Sequence, residues 1–174
     1  ITAKDIKLND PQTSADLIGS SGEVFIQKSQ MGGGSPMIRG FSANKVLIVV
    51  DGVRMNNAIF RGGNLQNVIS LDPNIVEKSE VVFGPGSVIY GSDALGGVMD
   101  FQTLSTSYAD SGNYFKGNVL ARYSSANNEI TPHIDFSMGS SKISSVTSIS
   151  YSQFSDLRMG KHGRQEYLRN DYVE

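Results

Sequence analysis

The residues that carry chemistry in most proteins are sparse here, and their spacing rules out the common reaction templates. There is no cysteine, which removes disulfides, thiolate nucleophiles and thiolate metal sites. Two histidines are present, His133 and His162, and only Asp135 stands near either at metal-ligand spacing. On an alternating strand His133 reads as an ordinary polar residue of one face, and His162 as a solvated loop residue. Gly84-x-Gly86 lacks the third glycine of a dinucleotide fingerprint, and no G-x-x-x-x-G-K-[ST] phosphate loop occurs. Neither Ser42 nor Ser87 sits in a G-x-S-x-G elbow. Asp51, followed by Gly52, reads as a turn residue rather than a catalytic acid. No catalytic residue, metal site or cofactor follows from these patterns, and the chain is read as a non-enzyme.

The glycines are more informative. From Glu77 to Thr103 two apolar-rich extended runs, Ser79–Phe83 and Val98–Thr103, flank a bend marked by Gly84-Pro85-Gly86, Gly91 and Gly96-Gly97. Pro85 fixes its own φ, and its glycine neighbours permit positive φ or close backbone approach. Between them Ser87–Tyr90 has room for one helical turn. So many glycines beside strand-forming residues fix a backbone shape.

The elements upstream are short. Ile1–Asp10 alternates weakly and reads as a strand or an ordered lead-in. Pro11–Ile18 reads as a helix, with Thr13 or Ser14 as N-cap and Asp16 favouring its positive end. Val24–Gln27 reads as a strand and Met31–Ser35 as a flexible loop. Pro36–Phe41 is a short strand. Val46–Val50, wholly apolar and too short for a helix, should be a central strand buried on both faces. Asp51-Gly52 turns the chain. Leu65–Leu71 and Asp72–Val76 are helical candidates, the second with Pro73 at a first helical position.

After Thr103 the texture changes. Phe115–Ser125, Ile130–Ser140 and Lys142–Phe154 form three extended runs joined by polar turns. Val119, Ala121 and Tyr123 share one face of the first, opposite Asn118, Arg122 and Ser124. Ile130, Ile134, Phe136 and Met138 alternate with Thr131, His133, Asp135 and Ser137 in the second. Ile149 and Tyr151 alternate with serines in the third. Runs this long, apolar on one side and hydroxylated on the other, suit transmembrane β-strands with lipid outside and a polar lumen. An antiparallel meander in a soluble sandwich shows the same alternation.

At 174 residues, with 39% hydrophobic and 18% charged residues, the chain can bury one proper core with an appendage. A net charge of −2 with mixed signs gives no reason to expect nucleic acid. No signal peptide is visible and no run reaches the roughly 18 apolar residues of a membrane helix. The start at Ile1 and the featureless end at Glu174 are read as those of a fragment of a longer protein.

The bend resembles the end of the plug domain of TonB-dependent outer-membrane receptors. The match runs through Ile75, Val76-Glu77, Ser79-Glu80-Val81-Val82-Phe83-Gly84-Pro85, Ser87, Ile89-Tyr90-Gly91, Ala94 and Gly96-Gly97-Val98. Upstream, Ile38-Arg39-Gly40, Val46-Leu47 and Asp51-Gly52-Val53-Arg54 match the family's I-R-G and V-L-x-x-x-D-G-V segments in order and spacing. Asp16-Leu17-Ile18, Gly22 and Val24 fit its early helix and strand. The resemblance covers about Ile1 to Thr103.

It implies an α+β plug domain over residues 1–103, with a small mixed sheet and short helices. The antiparallel strands that open a transmembrane β-barrel, incomplete here, would follow over 104–174. The implied function is gating of energy-coupled uptake across the bacterial outer membrane, with the plug inside the barrel lumen. The implied partners are the remaining strands of its own barrel, which totals about 22 strands in such transporters, TonB acting on an N-terminal segment outside this chain, outer-membrane lipid and a scarce small ligand. An iron complex, haem or siderophore, is the leading ligand; oligosaccharide and cobalamin stay open. The other readings are a soluble β-rich binding or adhesion module and a signalling receptor of the same architecture.

The resemblance also implies residue roles. Arg39 of I-R-G would meet carboxylates on the barrel wall, together with Glu80 and Phe83 of the strand before the bend. The family often has a second arginine where Phe83 stands, so this contact should be partly apolar. Gly40, Asp51, Gly52, Gly84, Pro85, Gly86, Tyr90, Gly91, Gly96 and Gly97 would be structural. Met55, Asn56, Asn57 and Arg61 would face ligand.

Overall fold

The computed structural model describes residues 1–28, 34–42, 45–55, 68, 71–84, 87–91, 94–156 and 166. The chain forms two units, Ile1–Ser105 and Thr106–Glu174.

The first unit opens with a helix, α1 (Ala3–Asn9), where the sequence reading expected a strand or lead-in. The reason is a capping box: the Asp5 carboxylate accepts hydrogen bonds from the Thr2 N–H at 2.9 Å and the Thr2 hydroxyl at 2.7 Å. Ile6 then buries its side chain while Asp10, at φ 42°, ends the helix in the left-handed region. Helix α2 (Ser14–Gly19) follows as expected, with Thr13 accepting from the Asp16 N–H. Strand β1 (Phe25–Lys28) pairs antiparallel with β2 (Gly34–Ile38), which pairs with β3 (Phe41–Ser42). Gly34 and Ser35, expected in a loop, are therefore strand residues, opposite Lys28 and Gln27. Pairing with β1 satisfies their backbone groups, which overrides the loop preference of a glycine-rich run.

The core sheet runs β5-β4-β7-β6 and is mixed: β4 (Val46–Val50) lies parallel to β7 (Gly97–Thr103), and β7 lies antiparallel to β6 (Val76–Phe83). The two-residue β5 (Val53–Arg54) closes a hairpin with β4. Strand β4 is buried on both faces, as its unbroken apolar run required. Val46 and Ile48 join the larger cluster with Leu17, Ile18, Ile38, Met99 and Phe101, while Leu47 and Val49 join a smaller one with Ala94 and Val98. Phe101 is fully buried, a contribution of roughly 1.5–3 kcal/mol from transfer alone. A 3-10 turn (Pro73–Ile75), capped by Asp72, leads into β6, and the single turn α3 (Ser87–Tyr90) follows it.

The second unit is an antiparallel meander, β8 (Tyr114–Ser124), β9 (Glu129–Gly139) and β10 (Ser144–Ser150), with β9 in the centre. The third strand is shorter than the Lys142–Phe154 run expected. Burial on these strands is inverted relative to a water-soluble sheet. The polar residues Glu129, Thr131 and His133 are 2, 6 and 5% exposed, whereas Phe115, Val119, Tyr123 and Ile149 are 73, 80, 67 and 60% exposed. The apolar side chains also stand opposite one another, Phe115 by Met138, Val119 by Ile134, Tyr123 by Ile130 and Ile149 by Ile134, so they make one continuous surface.

Candidate functional site

The first unit gathers its candidate residues at two hairpin tips and at the glycine bend. Arg39-Gly40 is the two-residue turn between β2 and β3, closed by the Ile38–Phe41 pair, with φ of 50° and 82°. Positive φ at both positions is the type I′ geometry, which favours Asn, Asp or Gly at the first. An arginine there gives up roughly 1 kcal/mol, so the turn does not explain it. Its guanidinium lies over the Phe83 ring, 5.3 Å from the centroid, an attraction worth about 0.5–1 kcal/mol at an exposed site. Phe83 is half-buried against the larger core cluster, and Arg39 remains exposed. Arg39 and Gly40 also border a cleft of about 800 Å³ together with Asp16, Ser20, Glu23 and Phe25.

Of the three residues implied for a wall contact, Arg39 and Phe83 are thus brought together. Glu80 instead pairs with Lys78 on its own strand at 2.5 Å, both side chains about half exposed. The hydrogen bond from Lys78, then its charge, holds the Glu80 carboxyl below the usual carboxylate range.

The second tip, Asp51-Gly52, has the same geometry, with φ of 48° and 80°. Here the residue type suits the turn, and the side chain has a further task. Thr103 donates its N–H to Asp51 Oδ1 at 2.8 Å and its hydroxyl to Oδ2 at 2.7 Å. Two residues on, Ser105 donates its N–H and hydroxyl to Glu77 Oε2 at 3.1 and 2.8 Å. Two carboxylates therefore fasten the end of β7.

At the bend, Gly84 follows β6 with φ 90°, and Tyr90 packs half-buried on the smaller cluster. Gly96 and Gly97 are required by close approach. A Cβ on Gly96 would collide with the Phe41 side chain, and one on Gly97 would sit 2.7 Å from the Val82 carbonyl and 3.0 Å from Ile38 Cδ1. Their missing side chains let the β2–β3 hairpin and β6 close onto β7. Gly91 faces the Arg54 guanidinium in the same manner, at 3.2 Å from a would-be Cβ. Val88 and Ile89 of α3 are 94 and 83% exposed.

Met55, expected to face ligand, is half-buried against the larger cluster, with its N–H donating to the Ile48 carbonyl at 2.8 Å. Asn56, Asn57, Arg61, Pro85, Gly86 and His162 lie outside the described residues. His133 is held on the buried polar face, its Nδ1 2.6 Å from Ser150 Oγ and its Nε2 3.3 Å from Asp135 Oδ2, while Asn118 donates to Asp135 Oδ1 at 2.9 Å. Both ring nitrogens thus already have polar neighbours. Sequence reading missed three features: the Asp51 and Glu77 clasps, the Arg54–Gly91 contact, and the pairing of Ile1 with Ser79. The first joins positions 52 and 28 apart, beyond any local signal.

Among the described residues no helix is long and apolar enough to cross a membrane, which leaves strands untouched. Comparison with known proteins gives one family match, to the TonB-dependent Receptor Plug Domain, over residues 1–98. The chain is similar to the vitamin B12 transporter BtuB of Vibrio vulnificus strain CMCP6, 47% identical over 85 residues, covering 47% of this chain and 13% of the relative. It is similar also to the hemin receptor of Yersinia pestis, 36% identical over 93 residues, covering 53% and 13%. Among solved structures, the pyoverdine outer membrane receptor FpvA of Pseudomonas aeruginosa PAO1 superposes with a TM-score of 0.70 at 18% identity, over 87% of this chain and 21% of that one. The FrpB iron transporter of Neisseria meningitidis gives 0.66 at 20% identity, over 94% and 24%. The chain therefore spans 13% of the length of these two curated relatives.

Proposed function

The chain belongs to the TonB-dependent receptor plug-domain family, proteins of the bacterial outer membrane, and from that premise we propose that it is the plug and first barrel strands of an energy-coupled importer. The observation that carries this reading is the inverted burial of the second unit, with Glu129, Thr131 and His133 inside and Phe115, Val119 and Ile149 outside. In water such a sheet forfeits roughly 1.5–3 kcal/mol for each large apolar side chain left exposed. Against lipid the same face is favourable, and the polar face suits an aqueous lumen. A soluble binding module would have the two faces exchanged. The family is one of receptors and transporters, and no enzymatic role is assigned.

In this reading residues 1–103 close the lumen and residues 104–174 begin the wall. Ligand binds from outside, TonB acts through an N-terminal segment, and the plug rearranges to let the ligand pass. Arg39 is the wall contact: stacking on Phe83 holds its guanidinium at the hairpin tip, where its donors suit a planar carboxylate. Asn56, Asn57 and Arg61 are the ligand-facing candidates; Met55 packs inward and contributes least.

For the ligand we propose a metal complex, with an iron chelate or haem ahead of cobalamin. The support is that relatives carry the names vitamin B12 transporter and hemin receptor, and that pyoverdine and iron receptors share the fold. The test is uptake in cells lacking their own receptors. Labelled ferric siderophore, haem and cobalamin would be offered to cells making the whole protein, with and without a protonophore. Protonophore-sensitive uptake of an iron complex supports the reading. Uptake of cobalamin alone shifts the ligand and keeps the mechanism, and uptake of none overturns it.

A further inference from the structure

Two irregularities of the backbone converge on the end of β7. The first is Asp51, a non-glycine residue at φ 48°. Its N–H donates to the Phe101 carbonyl at 2.9 Å, just past the last β4–β7 pair, Val50 with Phe101. Backbone groups two residues apart on a strand point to the same side. The next group on that side is the Thr103 N–H, and since β4 has turned away, the Asp51 carboxylate takes it together with the Thr103 hydroxyl. The second irregularity is Glu77. Strand β6 pairs Val76 with Thr103 and Lys78 with Gln102, which leaves Glu77 as the extra residue of a β-bulge. A bulge bends its strand and re-aims a side chain. Here it sends the exposed Glu77 carboxylate past the end of the ladder to the N–H and hydroxyl of Ser105. Between the two clasps the Leu104 N–H donates to the Ile75 carbonyl at 2.9 Å.

Local needs explain neither carboxylate. Asn or Gly would serve the turn at position 51 as well, and a regular β6 would pair with β7 without an extra residue. What the two share is the place they hold. Ser105 is the last residue of the first unit, so any displacement of the chain beyond it reaches the core sheet here. Strand β7 lies between β4 and β6 and carries the fully buried Val98, Met99 and Phe101. Strand ends open most readily, and peeling β7 from this end would break both of its ladders. We propose that Asp51 and Glu77 form a latch at the exit of the first unit, which keeps β7 seated between β4 and β6 when the following chain moves. They are positioning residues, acting through Thr103 and Ser105. The inference rests on the reading of the first unit as the closure of a lumen and deepens it: with the latch released, the closure leaks.

The test uses the whole protein reconstituted in lipid, without ligand. One variant removes both carboxylates, Asp51→Gly with Glu77→Ala, glycine keeping the positive-φ turn. A second, Asp51→Asn with Glu77→Gln, keeps an acceptor oxygen for each N–H and an amide donor for each hydroxyl. Hydrogen exchange and ion conductance across a planar bilayer are read for both. In the carboxylate-free variant the Thr103, Leu104 and Ser105 amides should exchange, and the bilayer should conduct, at least about tenfold faster than with the native protein, because both report the open form. The Met99 amide should keep its native protection, and the Asn/Gln variant should stay within about twofold of native on every measure. If Met99 also loses protection, the first unit has unfolded. Thr103→Val with Ser105→Ala, which removes only the hydroxyls, then takes that variant's place under the same outcomes. Native exchange at Thr103–Ser105 in the variant overturns the latch. Fast exchange with native conductance overturns it too, leaving the clasps as structural ties. Deleting residues 1–105 from the same protein separates this from the broader reading. A deletion that conducts no more than the intact protein means that the first unit is no closure, and both readings fall. A freely conducting deletion beside a tight carboxylate-free variant removes the latch alone.

Discussion

Replacing Asp51 separates two effects that the structure superimposes on one residue. Its φ of 48° places it where L-residues other than Asn and Asp are strained, and its carboxylate accepts both the N–H and the hydroxyl of Thr103. Asp51→Ala loses both: about 1 kcal/mol for the left-handed backbone and about 1 kcal/mol for each hydrogen bond, the low end because the site is exposed. The total is about 3 kcal/mol. Asp51→Gly keeps the turn and loses the bonds, for about 2 kcal/mol. Asp51→Asn keeps the turn preference and can still accept the N–H while donating to the hydroxyl, for about 0.5 kcal/mol or less. The assay is urea unfolding of residues 1–105, followed by far-UV circular dichroism, for the four proteins side by side. The order native, Asn, Gly, Ala is expected. If Asn is as damaging as Ala, or Ala falls within about 0.5 kcal/mol of native, the clasp carries none of the stability attributed to it.

Arg39→Asn should leave the first unit as stable as before or slightly more so, since Asn suits the turn and offsets the lost stack of about 0.5–1 kcal/mol. It should nevertheless reduce uptake, and unfolding and transport measured on one preparation would separate these. Gly97→Ala should cost about 1–3 kcal/mol, because the Val82 carbonyl would have to move; urea unfolding of the first unit reads this directly. Val119→Arg should impair bilayer insertion of the whole protein by about 2–4 kcal/mol if the residue lies near the midplane, whereas Ser148→Thr on the opposite face should be tolerated. Heat-modifiability on gels after reconstitution would distinguish them. Asp5 is held below its ordinary value of 3.8, first by the Thr2 N–H and then by the Thr2 hydroxyl. Its capping contribution is therefore complete above that value and is lost as pH falls through the lower folded-state pKa. The α1 signal in circular dichroism should show that step between neutral and strongly acidic pH, and Asp5→Asn should abolish it.

The strands near Val24–Gln27, Val46–Val50, Ser79–Phe83 and Val98–Thr103, the one-turn helix in the bend, the two-faced burial of Val46–Val50 and the plug family were legible in the sequence, because each rests on local pattern. An unbroken apolar run has no polar face to leave in water, D-G at a strand end fixes a turn, and a glycine pair at a fixed offset marks backbones in contact; the Pro36–Phe41 strand, by contrast, is broken in the structure by a turn at Arg39-Gly40, whose positive φ values no local signal at Arg39 announces. The α1 helix also carries a local signal, Thr2 and Asp5 three apart, which the weak alternation of Ile1–Asp10 obscures. What the chain could not reveal by itself is what distant segments do to each other. Only the fold shows that Asp51 and Glu77 grip Thr103 and Ser105, that Arg39 rests on Phe83 while Glu80 turns to Lys78, and that Ile1 lies along Ser79. Alternation on β8 to β10 likewise divided residues into two faces without saying which is buried. Period-two patterning is the same for a soluble sandwich and a barrel wall, and the sign is read only from the fold, where Glu129, Thr131 and His133 are buried and Phe115, Val119 and Ile149 are exposed.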